Sequence, residues 1–172
     1  MNDGECSPNT LAREGNVRLA YYSTRGATPG VIFLGGFRSD MTGTKAVALE
    51  QACKVRGQSF VRFDYFGHGQ SGGMFTDGTI TRWRDDAIAV LDAASEGPQV
   101  LVGSSMGGWL MLLVALARPE RVAGLVGIAA APDFTEDLMW LTFDSSTRTL
   151  LETEGVYLDP SPYDPEPTPI TM

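Results

Sequence analysis

The sequence predicts an α/β protein with a mostly parallel central sheet that is flanked by helices. Apolar runs typical of strands alternate with helical segments across more than a hundred residues. Most of these runs are continuous rather than alternating in polarity, as expected for strands whose two faces are both covered. A length of 172 residues, 43% of them hydrophobic, fits a single domain with one core.

The predicted strands are short apolar runs that end at glycine or at a polar loop. They occupy residues 17–22, 31–34, 60–63, 100–102 and 125–128. The run at 31–34 is continuous and predicts a fully buried strand, whereas 17–22 alternates loosely and predicts one exposed face.

Three helices are predicted between these strands. The first covers residues 44–56 and ends at Gly57, and the second ends at Gly97 after apolar residues at helical spacing between 83 and 94. The third, residues 106–117, carries no charge but is too short to cross a bilayer, so we expect a helix buried among other elements.

The composition changes near the C-terminus. Residues 143–172 contain six acidic residues and one arginine, and five of the ten prolines lie between Pro160 and Pro169. Residues 159–167 in particular favour extended, irregular backbone. We therefore predict a core over residues 1–142 and an acidic, proline-rich irregular tail, or an interrupted segment, over 143–172.

The charge balance and the cysteines exclude several classes of function. A net charge of -8 without a basic stripe disfavours nucleic acid and anionic membranes as partners. Cys6 and Cys53 form neither a disulfide framework nor a zinc-binding pattern, and no phosphate-binding loop or metal-ligand spacing is present, so we expect no cofactor and no metal. The N-terminus lacks a targeting pattern, which predicts a cytoplasmic protein, or a mitochondrial one if a presequence has been removed.

The pattern most indicative of chemistry is G-x-S-x-G at residues 103–107, GSSMG. It lies between a predicted strand and a predicted helix, where a tight turn exposes a nucleophilic serine at a helix N-terminus. Ser105 occupies the central position and is the candidate nucleophile; a structural serine in an ordinary turn is the alternative.

A second candidate element is LGGF at residues 34–37, directly after a buried strand. Glycines without Cβ atoms let backbone N–H groups approach a substrate oxygen. The amides of Phe37 and Met106 are therefore the candidate oxyanion-hole donors, while an ordinary tight turn is the alternative for the glycine pair.

Together, LGGFRSDM at 34–41, DYFGHGQS at 64–71, GSSMGGW at 103–109 and APDFTE at 131–136 resemble the α/β-hydrolase superfamily. The resemblance is to the branch that includes the mitochondrial palmitoyl-protein thioesterase and mycophenolic-acid acyl-glucuronide esterase, with its bacterial relatives. It implies a serine hydrolase of acyl esters or thioesters, acting on a small-molecule or protein-linked acyl substrate through an acyl-enzyme on Ser105. It also implies that residues after 131 begin an apolar lid.

The same resemblance implies a catalytic acid and base that this sequence does not supply. In the superfamily the histidine follows the nucleophile, but His68 precedes Ser105 and is the only histidine in the chain. We therefore expect His68 to be a loop residue held by local hydrogen bonds. Asp133 is a weak candidate for the acid, and with Glu136 it more readily predicts a capping box that opens a helix.

Three functional interpretations remain open on the sequence. The leading one is the N-terminal part of a serine hydrolase, inactive alone because its triad acid and base are absent. The others are a non-catalytic acyl-binding protein and an enzyme completed in trans by a partner chain. If further strands are missing, the strand at 125–128 becomes an open sheet edge. The sequence does not specify an oligomeric state.

Overall fold

In the computed structural model, which describes residues 7–160 and 166–171, six strands form one mixed sheet. The strand order is β1-β2-β4-β3-β5-β6, in which β3 to β6 are parallel to one another and β1 and β2 are antiparallel to their neighbours. The strands are β1 (Asn9–Ala12), β2 (Arg18–Thr24), β3 (Ala27–Leu34), β4 (Gln58–Phe63), β5 (Gln99–Ser104) and β6 (Val122–Ile128). The predicted fold class, a mostly parallel sheet flanked by helices, is confirmed.

The crossover helices are α1 (Thr44–Val55), α2 (Ile80–Ala94) and α3 (Met106–Ala117). Each returns the chain to the starting edge of the parallel strands, as parallel pairing requires. The third helix buries only one face: Leu110 and Val114 are inaccessible, whereas Leu116 on the opposite side is 81% exposed. The expectation of a helix buried among other elements therefore holds for one face of α3.

The core lies around the central strands β3, β4 and β5. Because parallel strands covered on both faces bury consecutive side chains, the run from Val31 to Leu34 is buried throughout. One cluster joins this sheet to α1 through Ala46 and Cys53. Burial raises the pKa of the Cys53 thiol. Cys6 lies outside the described residues.

The strand β6 forms one edge of the six-stranded sheet. Its side chains Leu125 and Val126 are 43% and 47% exposed, although the sequence of the strand is almost wholly apolar. The open edge expected at residues 125–128 is thus present among the described strands.

The chain divides into two compact units, residues 1–132 and 133–172. The second contains single helical turns at Thr135–Met139 and Trp140–Thr142, the helix α4 (Ser145–Glu154), and an antiparallel pair, β7 (Val156–Asp159) and β8 (Thr168–Thr171). The structural division comes ten residues before the predicted boundary at 142.

Much of the described part of 143–172 is regular, where the sequence indicated irregular backbone. Asp144 caps α4 by accepting a hydrogen bond from the Thr147 amide at 2.7 Å, and Gly155 ends the helix with φ 73°. These two capping residues favour a helix between them, although the composition of the segment is acidic and polar. Residues 161–165, the middle of the proline-rich stretch, lie outside the described residues.

Two kinds of feature are absent from residues 7–160 and 166–171. None of the helices there is long and apolar enough to cross a bilayer. Within the same residues, no group of three or more His, Cys, Asp or Glu side chains is arranged to hold a metal ion.

Candidate active site

Ser105 lies in a sharp turn between β5 and α3, as the G-x-S-x-G pattern predicts. Its backbone has φ 53° and ψ -122°, a region that residues with a Cβ rarely adopt. Both of its backbone groups are bound to the end of β6 and the residues just after it: the Ser105 amide donates to Ile128 O, and its carbonyl accepts from the Ala131 amide, each at 3.1 Å. The side chain is exposed. The strained turn is therefore held by long-range hydrogen bonds while its hydroxyl group faces outward.

The glycines around Ser105 allow α3 to pack directly on the sheet. A Cβ on Gly103 would lie 2.6 Å from the Gly108 Cα, and a Cβ on Gly107 would lie 2.5 Å from the Gly35 carbonyl oxygen. Real Cβ atoms do not approach other atoms this closely, so the first turn of α3 and the end of β3 meet backbone to backbone. The two outer glycines of the pattern are explained by this contact.

The segment 35–41, here called the oxyanion loop after the role predicted for Phe37, runs beside Ser105. A Cβ built on Gly36 would lie 3.4 Å from the Ser105 Cβ, which shows how closely the two backbones approach. The loop turns between Gly36 and Ser39, where the Ser39 amide donates to Gly36 O at 3.1 Å. Arg38 within this turn has φ 56°, a second strained residue beside the first.

The two candidate donors are Phe37, which follows Gly36 in the oxyanion loop, and Met106, which follows Ser105 at the start of α3. Met106 is the first residue of α3 and is fully buried. Its amide belongs to the first helical turn, whose N–H groups have no partner within the helix. Phe37 is half-buried, and its ring packs edge-on against Phe75 and Trp83 at 5.1 and 6.0 Å. That packing fixes the Phe37 side chain within the turn between Gly36 and Ser39.

Three residues at the end of β4 contact the oxyanion loop, and sequence reasoning assigned none of them a role. The Asp64 carboxylate accepts from the Met41 amide at 2.6 Å, and Arg62 Nη1 donates to the Met41 carbonyl at 2.8 Å. Tyr65 Oη donates to the Gly35 carbonyl at 3.4 Å. Burial raises the pKa of Asp64 and raises that of Tyr65 well above its ordinary value. The only indication in the sequence is a charged residue, Asp64, directly after a buried strand.

His68 is buried in an aromatic cage rather than paired with Ser105. Its Nδ1 bonds to the Phe66 carbonyl at 3.0 Å, and its ring lies 5.1 to 5.6 Å from the rings of Tyr65, Phe75 and Trp83. Within the described structure Nε2 has no hydrogen-bond partner. The expected local hydrogen bond is present at one ring nitrogen only. Desolvation lowers the pKa of His68, so the ring is neutral at pH 7.

The expected capping box at Asp133 does not form. Asp133 is exposed with φ 52°, and its backbone carbonyl, not its side chain, accepts from the Glu136 and Asp137 amides at 3.0 and 2.9 Å. The helix predicted after it consists of a single π-turn and a 3₁₀ turn. A left-handed residue at this point turns the chain too sharply for the extended backbone that a capping side chain needs.

Comparison with known proteins agrees with the resemblance stated from the sequence. The family Hydrolase_4, described as serine aminopeptidase, S33, matches residues 30–155. The mouse protein named palmitoyl-protein thioesterase ABHD10, mitochondrial, is 45% identical over 162 residues, which cover 94% of this chain and 54% of that protein. The chain therefore spans about half the length of the curated relatives it matches.

Solved structures extend the similarity to three dimensions. A hydrolase of Agrobacterium vitis S4 is 40% identical with a TM-score of 0.88, and the match covers 95% of this chain and 67% of the other. The structure of mouse α/β-hydrolase domain-containing protein 10 is 46% identical with a TM-score of 0.83, over 92% and 63% of the two chains.

Proposed function

This chain belongs to the Hydrolase_4 family of α/β-hydrolases, and from that premise we propose that it carries the nucleophile and oxyanion hole of a serine esterase or thioesterase. The observation that carries the proposal is the Ser105 turn: a strained, exposed serine at a helix N-terminus, with the Gly36 backbone beside it. No structural reason requires a serine there, since its hydroxyl is outside the core.

In the proposed reaction, Ser105 Oγ attacks the carbonyl carbon of an acyl ester or thioester and loses its proton to a base. The carbonyl oxygen becomes an oxyanion that the Phe37 and Met106 amides stabilise. Losing one such donor typically lowers the rate roughly 10²- to 10³-fold. The alcohol or thiol leaves with a proton, and water then hydrolyses the acyl-enzyme to the free acid and Ser105.

The base and the acid of this reaction are proposed to come from outside the 172 residues. His68 is occupied at Nδ1 and enclosed at Nε2, and it makes no hydrogen bond to Ser105 in the described structure. A serine without an adjacent base is a weak nucleophile, and losing a triad member lowers kcat by roughly 10⁴- to 10⁶-fold. The isolated chain is therefore proposed to be nearly inactive.

The proposed substrate is an apolar acyl group in ester or thioester linkage. The mouse relative's name specifies palmitoyl-protein as its substrate and the mitochondrion as its location. Within the second unit, Leu138 and Leu141 are 61% and 59% exposed, and exposed apolar side chains are typical of surfaces that contact an apolar group. A mitochondrial location is accordingly an alternative to the cytoplasmic one predicted from the sequence.

The test is hydrolysis of p-nitrophenyl acyl esters and an S-acyl thioester by two purified proteins: the 172-residue chain, and a longer chain that includes the segment by which its relatives exceed it. Ser105→Ala is compared with Ser104→Ala, which removes the neighbouring serine, one that is buried rather than exposed. We expect turnover by the longer chain only, abolished by Ser105→Ala and retained by Ser104→Ala.

Two other outcomes would change the conclusion. Ser105-dependent turnover by the short chain would mean that it contains a base, contrary to the proposal. Saturable binding of a fatty acyl thioester without turnover by either chain would favour a non-catalytic acyl-binding protein.

A further inference from the structure

We propose that Asp64, with Arg62 and Tyr65, forms a clamp at the end of β4 that positions the oxyanion loop against Ser105. The clamp acts through the loop backbone, so these are positioning residues that need not touch substrate. The inference deepens the proposed function and rests on it for its catalytic consequence, although the clamp itself is a structural claim.

The clamp holds one end of the loop at Met41. The Asp64 carboxylate accepts the Met41 amide hydrogen at 2.6 Å, while Arg62 Nη1 donates to the Met41 carbonyl at 2.8 Å. Both backbone groups of one residue are therefore bound by side chains from a neighbouring strand. The Met41 side chain is 1% exposed, so the same residue is also fixed by packing.

The other end of the loop is held at Gly35, where the Tyr65 hydroxyl donates to the carbonyl oxygen. Tyr65 is 1% exposed, and its ring packs edge-on against Phe63 at 4.9 Å. Phe37 lies between these two anchored points. The direction of its amide relative to Ser105 is thus determined by residues that are distant in sequence.

Asp64 is itself held rigidly. Its second carboxylate oxygen accepts from the Gln70 amide at 2.8 Å, and Gly69 approaches so closely that a Cβ there would lie 2.5 Å from the Asp64 Cγ. Asp64 is 1% exposed. Burial disfavours the charged form of its carboxylate, and each backbone hydrogen bond that the carboxylate accepts favours that form. Arg62 is fixed in turn by Glu50, with Nη2 to Oε2 at 2.9 Å.

These contacts have a catalytic consequence because the oxyanion hole works by preorganisation. A misplacement of about 1 Å can lower a rate roughly 10²-fold, comparable to losing one oxyanion-hole donor. Loosening Met41 would leave Ser105 intact and loosen residues 36–39, among them the Phe37 amide. The expected defect is therefore in kcat and not in KM.

The first arm of the test is amide hydrogen exchange of the 172-residue chain carrying Asp64→Asn. The matched control is Asp86→Asn, because Asp86 is also a buried carboxylate that accepts a backbone amide, from Phe66 at 2.9 Å, but does not contact the oxyanion loop. We expect exchange of the Met41 amide and of residues 36–39 to accelerate roughly 10- to 100-fold in Asp64→Asn alone.

Arg62→Lys serves as a second variant in case Asp64→Asn does not fold. Lysine keeps a cation beside Glu50. It lacks the forked guanidinium that binds Glu50 and the Met41 carbonyl at the same time. Faster exchange confined to the loop in this variant supports the clamp. Unchanged loop exchange in a folded Asp64→Asn, or equal acceleration in Asp86→Asn, overturns it.

The second arm uses whichever chain hydrolyses the ester, with the reactive fraction of Ser105 determined by active-site titration. Asp64→Asn is expected to lower kcat per titrated site about 10²-fold with KM changed less than about twofold, and Asp86→Asn to leave both unchanged. A normal kcat per titrated site in Asp64→Asn overturns the positioning role. If neither chain hydrolyses the ester, the proposed function fails, and the exchange measurements still decide whether the clamp exists.

Discussion

The strain in the Ser105 backbone makes a quantitative prediction about stability. With φ 53° and ψ -122°, Ser105 occupies a region that costs a residue with a Cβ about 1–3 kcal/mol. Glycine adopts this region without that cost but loses about 0.5–1 kcal/mol through the greater freedom of the unfolded chain. Ser105→Gly should therefore raise the free energy of unfolding by about 0–2.5 kcal/mol.

Alanine at the same position separates strain from loss of the hydroxyl. Ser105→Ala keeps the Cβ and the strained backbone, and both backbone hydrogen bonds to Ile128 and Ala131 are available to either variant. It should therefore match the wild type to within about 0.5 kcal/mol. The difference between the glycine and alanine variants measures the strain less the additional unfolded-chain entropy of glycine.

The assay is equilibrium urea unfolding followed by circular dichroism, with thermal scans as a second measure. For a chain of this size about 1 kcal/mol corresponds to roughly 2–4 °C in Tm. Ala48→Gly, at an exposed position inside α1, is the control and should lose about 1 kcal/mol. If Ser105→Gly falls as far below Ser105→Ala in stability as Ala48→Gly falls below the wild type, the backbone is not strained as described, and the argument for a functional serine loses its main support.

Three further predictions concern the packing around the Ser105 turn, the buried histidine and the sheet edge. Gly103→Ala should cost about 1–3 kcal/mol in urea unfolding because its Cβ would overlap the first turn of α3, whereas Gly35→Ala, with its nearest neighbour at 3.8 Å, should cost less than about 0.5 kcal/mol. Burial lowers the folded-state pKa of His68 below its unfolded value of about 6.5, so its contribution to stability is lost as pH falls below that value. His68→Phe should therefore make the free energy of unfolding less dependent on pH below about 6.5. An unchanged pH dependence in this variant would contradict a lowered His68 pKa. The exposed edge strand β6 is expected to cause self-association, so the wild type should form oligomers in sedimentation velocity and Val126→Lys should reduce them, because a charged side chain blocks edge-to-edge pairing; oligomers that persist in Val126→Lys would show that this edge is not the contact.

Much of the first unit could be predicted from local patterns. The strands at 31–34, 60–63, 100–102 and 125–128 and the helix at 106–117 were each predicted within a few residues of the observed bounds. These elements have strong apolar periodicity and are bounded by glycine or proline, which are the features that local sequence expresses best.

The elements that were missed are short, polar or both. β1 has four residues and pairs at a sheet edge, so no apolar run marks it. The helix α4 was hidden by an acidic, polar composition, although Asp144 and Gly155 are suitable caps in retrospect. The strands β7 and β8 have four residues each and pair with one another although residues 160–167 separate them in sequence. Neither strand alone predicts that pairing.

The sequence by itself determined the fold class, the turn that holds Ser105 and the identity of the adjoining glycine loop, because each depends on conformations that neighbouring residues impose. Only the tertiary structure decided the strand order, the enclosure of His68, and the hydrogen bonds by which Arg62 and Asp64 hold Met41, 21 and 23 residues away in sequence. Such contacts form when strands that are distant in the chain pair side by side. The free energy that selects a pairing comes from side-chain packing across the whole sheet, so no single segment determines it.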